Sequence, residues 1–344
     1  LPEGQTVGTN TGPGVLPFPT RDETILLDNV TDNFQVSLDA VEGTFDFRYT
    51  GEDGTLIYHY RPSSGTLGDV TAEWVGRGDT FRPLDGGGVL FASADGQDSV
   101  PPESLTLIGC ERIENTLRSS WQCQLQNKSA VLQYTFRLWQ KSLVVDVECQ
   151  GDAIGEFQIG RVVGAVEPRL VTVPYLVGAE QRPAILISGT ADEPLFMSAL
   201  LDHCRTNSSL FWFTNDISDN SVAINGGARY LPKTDGKRNR CFERLFLTVS
   251  PIFEETFPNI PNPQSPWMQV AGERVWNAHG ASDRQHDYEH WRKVARYGMT
   301  KAVITDHETG WRDGGESFTM RTRAAPGKGG DAGQVDYGKK LHAL

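Results

Sequence analysis

The segment Phe257-Pro-Asn-Ile-Pro-Asn-Pro-Gln-Ser-Pro266 constrains the fold more than any other feature of the chain. Four prolines in ten residues can continue neither a helix nor a central strand. The stretches on either side differ in kind. Residues 1–264 hold 20 basic and 34 acidic residues, net −14, whereas residues 265–344 hold 12 and 10, net +2. The shorter stretch nevertheless carries five of the seven histidines and four of the eight tryptophans. The sequence therefore reads as a domain over 1–256, a Pro-rich linker over 257–266 and a second domain over 267–344.

The first domain is a succession of strands. Phe34, Val36, Leu38 and Ala40 alternate with polar neighbours, as do Phe45, Phe47 and Tyr49, which places each apolar set on one face of a half-buried strand. Further strands are expected at Thr55–Tyr60, Val89–Ala92, Ser104–Ile108, Ser119–Leu125, Val131–Trp139, Ser142–Cys149, Phe157–Val163, Leu170–Tyr175, Ala184–Ile187, Leu210–Phe213 and Arg244–Val249. Gly, Asn, Asp and Pro clusters punctuate them, and Gly plus Pro reach 36 and 19 residues, as a turn-rich β fold requires. So many short strands exceed an immunoglobulin-type domain and predict a mainly β fold, a large two-sheet β-sandwich.

Beyond the linker the period changes. Arg274–Asn277 reads as a strand. Ser282, with Gln285 three residues on, predicts a capped helix carrying Tyr288, Trp291 and Ala295 on one side and ending at Gly298. A strand at Ala302–Thr305, a glycine-rich loop and a helix opening at Asp331 follow. Strand, helix, strand, helix is the alternation of a parallel sheet or a (β/α)8 barrel. Two such units fall far short of the eight units of a complete TIM barrel, so the sequence predicts a barrel truncated after its first two βα units.

A formal charge of −12 argues against binding to a phosphate backbone. No apolar run is long enough for a transmembrane helix. The five cysteines, Cys110, Cys123, Cys149, Cys204 and Cys241, match no zinc spacing; one or two disulfides or buried free thiols are both consistent with them. No metal or cofactor is expected. His286 and His290 are spaced four apart on the first tail helix but lack the H-E-x-x-H pattern, and Lys328 is followed by Gly329, which breaks the phosphate-loop pattern.

In a βα barrel the working residues stand at the C-terminal ends of strands. The first tail strand runs into Asn277-Ala-His279, the second into Asp306-His307-Glu308 and then Trp311, Arg312 and Asp313. Carboxylates and imidazoles hydrogen-bond hydroxyl groups, and an indole face covers the apolar side of a pyranose, so this set predicts a sugar pocket. In the first domain Gly226–Arg240 stands out, with Lys233, Lys237, Arg238 and Arg240 in an acidic setting. It reads either as a solvated loop or as one reaching toward the acidic groups of the second domain.

The sandwich, linker and βα order resembles glycoside hydrolases of the endo-α-N-acetylgalactosaminidase and α-galactosidase type, whose galactose-mutarotase-like sandwich is a β-supersandwich. Val303-Ile-Thr-Asp-His-Glu-Thr-Gly-Trp311 and the Gly-rich Ala325–Asp331 resemble the second-strand region of that barrel, while Val173–Leu176 and Tyr230–Asn239 resemble parts of the sandwich. The resemblance implies retaining hydrolysis of glycans with α-linked galactose or N-acetylgalactosamine. It also implies sugar contacts from His307 and Trp311, with Asp306 and Glu308 beside them, and a catalytic carboxylate pair beyond Leu344. The chain alone would then be inactive, and an extracellular or periplasmic location is expected. Two alternatives are a non-catalytic carbohydrate-binding module, with exposed aromatics such as Trp74 or Trp121, and a mutarotase-like epimerase using His59 or His203.

Overall fold

The computed structural model describes residues 21–77, 79–93, 98–126, 128–173, 183–218, 221–224, 226–259, 268–281, 283–308, 324 and 326–344. These residues fall into two compact units, one on each side of position 261/262. Most of the Pro-rich segment, 260–266, lies outside the described residues.

The first unit is built from antiparallel sheets. Sheet I takes, edge to edge, Gln35–Val41, Thr44–Gly51, Gly54–Tyr60, Val70–Trp74, Asp79–Asp85, Arg161–Val163, Ser221–Ala223 and Asp216–Ser218. Sheet II takes Arg169–Thr172, Ala184–Ser188, Leu195–Thr206, Cys241–Ser250, Ser142–Cys149, Lys128–Trp139, Thr116–Leu125 and Ser104–Ile113. A smaller sheet III orders Leu210–Trp212, Gly227–Arg229, Ile154–Gln158, Gly88–Ala92 and Ser99–Val100. The mainly β reading is right, and the strand count exceeds it: Val70–Trp74, Asp79–Asp85 and Leu195–Thr206 are strands that alternation did not mark.

Sheets I and II face one another across one continuous core. The alternating set of the first hairpins, Phe47 and Tyr49 with Leu56, Tyr58 and Tyr60, is fully buried, and so are Leu132, Phe136, Val145 and Leu247 from sheet II. The Tyr60 and Phe136 rings meet at 4.4 Å between centroids. Burying each such side chain contributes about 1.5–3 kcal/mol, so this layer is the main source of the unit's stability. Trp74 and Trp121 belong to it, at 3 % and 1 % exposure. They are core residues, which overturns their reading as exposed sugar-binding aromatics.

Sheet II is covered on its other face too. Val144, Ile185, Leu200 and Phe246 bury there with Ile25 and Leu26. Strands covered on both faces bury successive residues instead of alternate ones, and Ser142–Cys149 and Cys241–Ser250 are buried along nearly their whole length. All five cysteines are free thiols; Cys149 and Cys241 are cross-strand neighbours in sheet II.

A buried cation ties the two faces of the sandwich. Lys141, in the two-residue turn between Lys128–Trp139 and Ser142–Cys149, is 2 % exposed. Its Nζ donates to Asp53 Oδ2 and to Glu255 Oε2, each at 2.5 Å, and lies 5.2 Å from the Tyr49 ring centroid. Its carbonyl accepts from the Tyr58 hydroxyl at 2.7 Å, and that same hydroxyl accepts from Val249 N–H.

The second unit contains the parallel pair Val275–Ala281 and Ala302–Glu308, with the helix Arg284–Arg296 between them in sequence and the helix Gly330–His342 after them. Both strands run further toward their C-terminal ends than the sequence predicts, and among the described residues their sheet has only these two strands, so a barrel is not seen. The first helix is capped by Asp283, whose Oδ1 accepts from His286 N–H at 2.7 Å; the expected cap, Ser282, lies outside the described residues. The second starts at Gly330, and Asp331 instead accepts from Ala324 N–H at 2.7 Å. The helices meet through Arg284 over the Tyr337 ring and Lys340 over the Tyr288 ring. His286 and His290 lie exposed on the first helix. Among the described residues no helix is long and apolar enough to cross a membrane.

Candidate functional site

Parallel strands end on the same edge of a sheet, so the register of the pair decides which residues gather there. His279 is paired with Asp306, Gly280 with His307 and Ala281 with Glu308. Four of the sequence-predicted site residues thus stand at the C-terminal ends of two adjacent strands: His279, Asp306, His307 and Glu308. Asn277 stands further back, opposite Ile304. Trp311, Arg312 and Asp313 lie outside the described residues.

A second polar site lies in the sandwich, on sheet III. A cleft of ≈ 220 Å³ is lined there by Asp98, Ser99, Glu156, Arg229, Tyr230 and Arg238, among others. Glu156 sits on Ile154–Gln158 and is only 7 % exposed. Its Oε2 accepts from Arg229 Nε at 3.1 Å and its Oε1 from Gln158 at 2.7 Å. Arg229 is fixed from the other side by Trp212, whose ring centroid is 5.6 Å from the guanidinium carbon. Because the ion pair engages Nε, the terminal N–H groups of this half-exposed fork remain for a ligand. Arg238 Nε donates to the Tyr230 carbonyl at 2.9 Å, which holds a second guanidinium at the same cleft.

The sequence builds this site from close backbone approaches. A Cβ on Gly227 would lie 2.1 Å from the Phe157 carbonyl oxygen, and one on Gly226, at φ +58°, would lie 2.3 Å from the Trp212 carbonyl oxygen. Only glycine lets the Gly227–Arg229 strand seat between its neighbours. The basic stretch Gly226–Arg240 therefore has a structural role at its start. At its end Arg240 pairs with Glu148 of the same unit at 2.9 Å, while Lys233 and Lys237 are exposed.

Behind the cleft, Tyr230 carries the polar contacts inward. Its hydroxyl donates to Glu243 Oε1, which also accepts from Thr206 Oγ1 at 2.9 Å. Glu243 is fully buried, and burial pushes its carboxyl up to about 7 against the opposing hydrogen bonds from Tyr230 and Thr206. His59 is remote in kind from such chemistry. Its two ring nitrogens are taken by Asp46 at 2.7 Å and Glu73 at 3.1 Å across neighbouring strands of sheet I. Neither His59 nor His203 lines the cleft, so the epimerase reading gains no acid/base pair there.

No family model matches the chain, and no curated protein matches it at a significant level. Among solved structures, a heparinase III is similar at a TM-score of 0.36 and 9 % identity, over 63 % of this chain and 36 % of that one. The match thus takes in little more than a third of the heparinase chain. An Escherichia coli K12 protein assigned as an aldose 1-epimerase is similar at a TM-score of 0.29 and 8 % identity, over 63 % of this chain and 99 % of that one. Likenesses this slight carry no argument about activity.

Proposed function

We propose that the chain is the sandwich and opening βα units of a glycoside hydrolase that acts on α-linked galactose or N-acetylgalactosamine glycans with retention of configuration. The observation that carries this reading is the register of the parallel pair, which sets His279 against Asp306 with His307 and Glu308 beside them at one strand-end edge. Ionisable groups at that edge are where a βα fold does its chemistry. In this reading His307 and Trp311 contact the sugar, and Asn277, His279, Asp306, Glu308, Arg312 and Asp313 complete the polar rim. No residue of this chain is assigned as nucleophile or general acid, since retaining chemistry needs two carboxyl groups about 5–5.5 Å apart across the scissile bond.

His307→Ala and Trp311→Ala are each expected to weaken binding of galactose- or N-acetylgalactosamine-terminated glycans at least tenfold, about 1.4 kcal/mol, by titration calorimetry. Unchanged affinity in both variants sinks the assignment.

A second reading, a carbohydrate-binding module, is favoured by one observation: the polar cleft on sheet III. Its two guanidinium groups and two carboxylates offer donors and acceptors for a cluster of hydroxyls. Arg229→Ala separates the readings. It abolishes glycan binding if the cleft is the site and leaves it intact if the strand ends are.

A further inference from the structure

The strand Leu195–Thr206 carries an interruption that the glycan reading does not use. Up to Leu201 it pairs regularly with Cys241–Ser250, Leu201 standing opposite Leu245; the next paired position is Thr206 opposite Glu243. Residues 202–205 therefore stand against Arg244 alone. A bulge of this kind bends the strand and re-aims its side chains. Here it gathers three consecutive residues that would otherwise alternate across the sheet. The donor atoms of Asp202, His203 and Cys204 all lie within 4.8 Å of one another, and Cys204 Sγ is 3.6 Å from His203 Nε2.

A second, independent observation points to a ligand. Asp202 is 1 % exposed. Its Oδ1 accepts from Cys204 N–H at 2.9 Å, but its Oδ2 is buried and has no hydrogen-bond partner. A buried carboxylate oxygen left without a donor costs free energy on the order of 1–3 kcal/mol, so an orphan of this kind calls for an unseen partner. The neighbouring guanidiniums do not supply it. Arg244 is held by Asp146 at 2.5 and 2.7 Å and by Asp22, and Arg205 by Asp22 at 2.9 Å.

We propose that the bulge at Asp202-His203-Cys204 is a binding site for a borderline-soft divalent cation of the zinc type, with Asp202 Oδ2, a ring nitrogen of His203 and Cys204 Sγ as ligands. The mixed oxygen, nitrogen and sulfur set suits such an ion and not calcium or magnesium, which take oxygen ligands. Binding displaces the Cys204 thiol proton to solvent and leaves two negative ligands around a dication, a neutral site. The fourth position of a tetrahedral ion stays open to water or to another ligand. No zinc spacing signals this site, because its ligands are consecutive and only the bulge converges them.

The test is a Co2+ titration of the chelator-treated protein, followed by absorption. The expected result is one equivalent of tetrahedral d–d absorption together with a thiolate-to-cobalt charge-transfer band, both displaced by Zn2+. Cys204→Ser abolishes the charge-transfer band, and the half-buried His203→Gln, checked for native circular dichroism, weakens Co2+ binding at least tenfold. A folded wild-type protein that shows no band in excess Co2+ overturns the proposal, as does a band that persists in Cys204→Ser. Neither readout depends on glycan binding.

Discussion

Replacing Lys141 by methionine is expected to destabilise the sandwich by about 3–5 kcal/mol, the range for removing one partner of a buried ion pair. The ammonium is 2 % exposed and is shared by Asp53 and Glu255, whose side chains are 22 % and 7 % exposed. Methionine keeps the packing beside Tyr49 and Trp74 but leaves two carboxylates facing each other with no cation between them. Most of the loss comes from Glu255, which has the least access to water. The double variant Lys141→Met, Glu255→Gln should therefore recover a substantial part of it. Urea unfolding of the three proteins checks this. A Lys141→Met variant within 1 kcal/mol of the parent, on the order of a surface pair, would show that the group is only an exposed charge cluster.

The second large effect is a pH dependence that runs opposite to ordinary acid unfolding. Glu243 has its carboxyl raised from an ordinary 4.5 to about 7 by burial. The folded state therefore holds this proton more tightly than the unfolded state does. Between about pH 4.5 and 7 the native protein binds more protons, so this group's contribution to stability falls as pH rises and is flat above about 7. A shift of that size is worth on the order of 3 kcal/mol. Glu243→Gln removes the titration and keeps an acceptor for Tyr230 and Thr206. The difference in unfolding free energy between parent and variant, measured in chelator across pH 4–8, should change by on the order of 3 kcal/mol in the parent's disfavour as pH rises. A difference that stays constant across that range contradicts the buried neutral carboxyl.

How much of this was legible in the sequence follows from which physical signal each element carries. The hairpins of sheet I were readable because one face is core and the other is wet, so Phe45, Phe47 and Tyr49 alternate with polar residues. Ser142–Cys149 is readable with its true ends because Gln140-Lys141 and Gln150-Gly151-Asp152 bound a segment rich in Leu and Val. Leu195–Thr206 was not found, because both faces of sheet II are covered and Leu195–Leu201 shows no alternation. Phe157–Val163 reads as one strand in the sequence, yet Gly160 at φ +98° breaks it and sends Ile154–Gln158 to sheet III and Arg161–Val163 to sheet I.

The candidate sites divide in the same way. The strand-end positions of His279, Asp306, His307 and Glu308 are legible because each follows directly on an apolar strand pattern in a βα alternation. The cleft is half legible: the basic stretch after Gly226 stands out in an acidic domain, but Glu156 and Asp98 come to the same cleft as Arg229 only through the strand order of sheet III. The Asp202-His203-Cys204 site gave no signal, since consecutive ligands match no spacing and the bulge that gathers them is a property of pairing with Arg244 and its neighbours.

The most direct test of the central claim, that this chain recognises carbohydrate through its βα strand ends, is a glycan array probed with the purified protein and its His307→Ala variant. The expected result is retention on glycans ending in α-linked galactose or N-acetylgalactosamine, lost in the variant. Retention on no glycan, or retention that His307→Ala leaves unchanged, would contradict it.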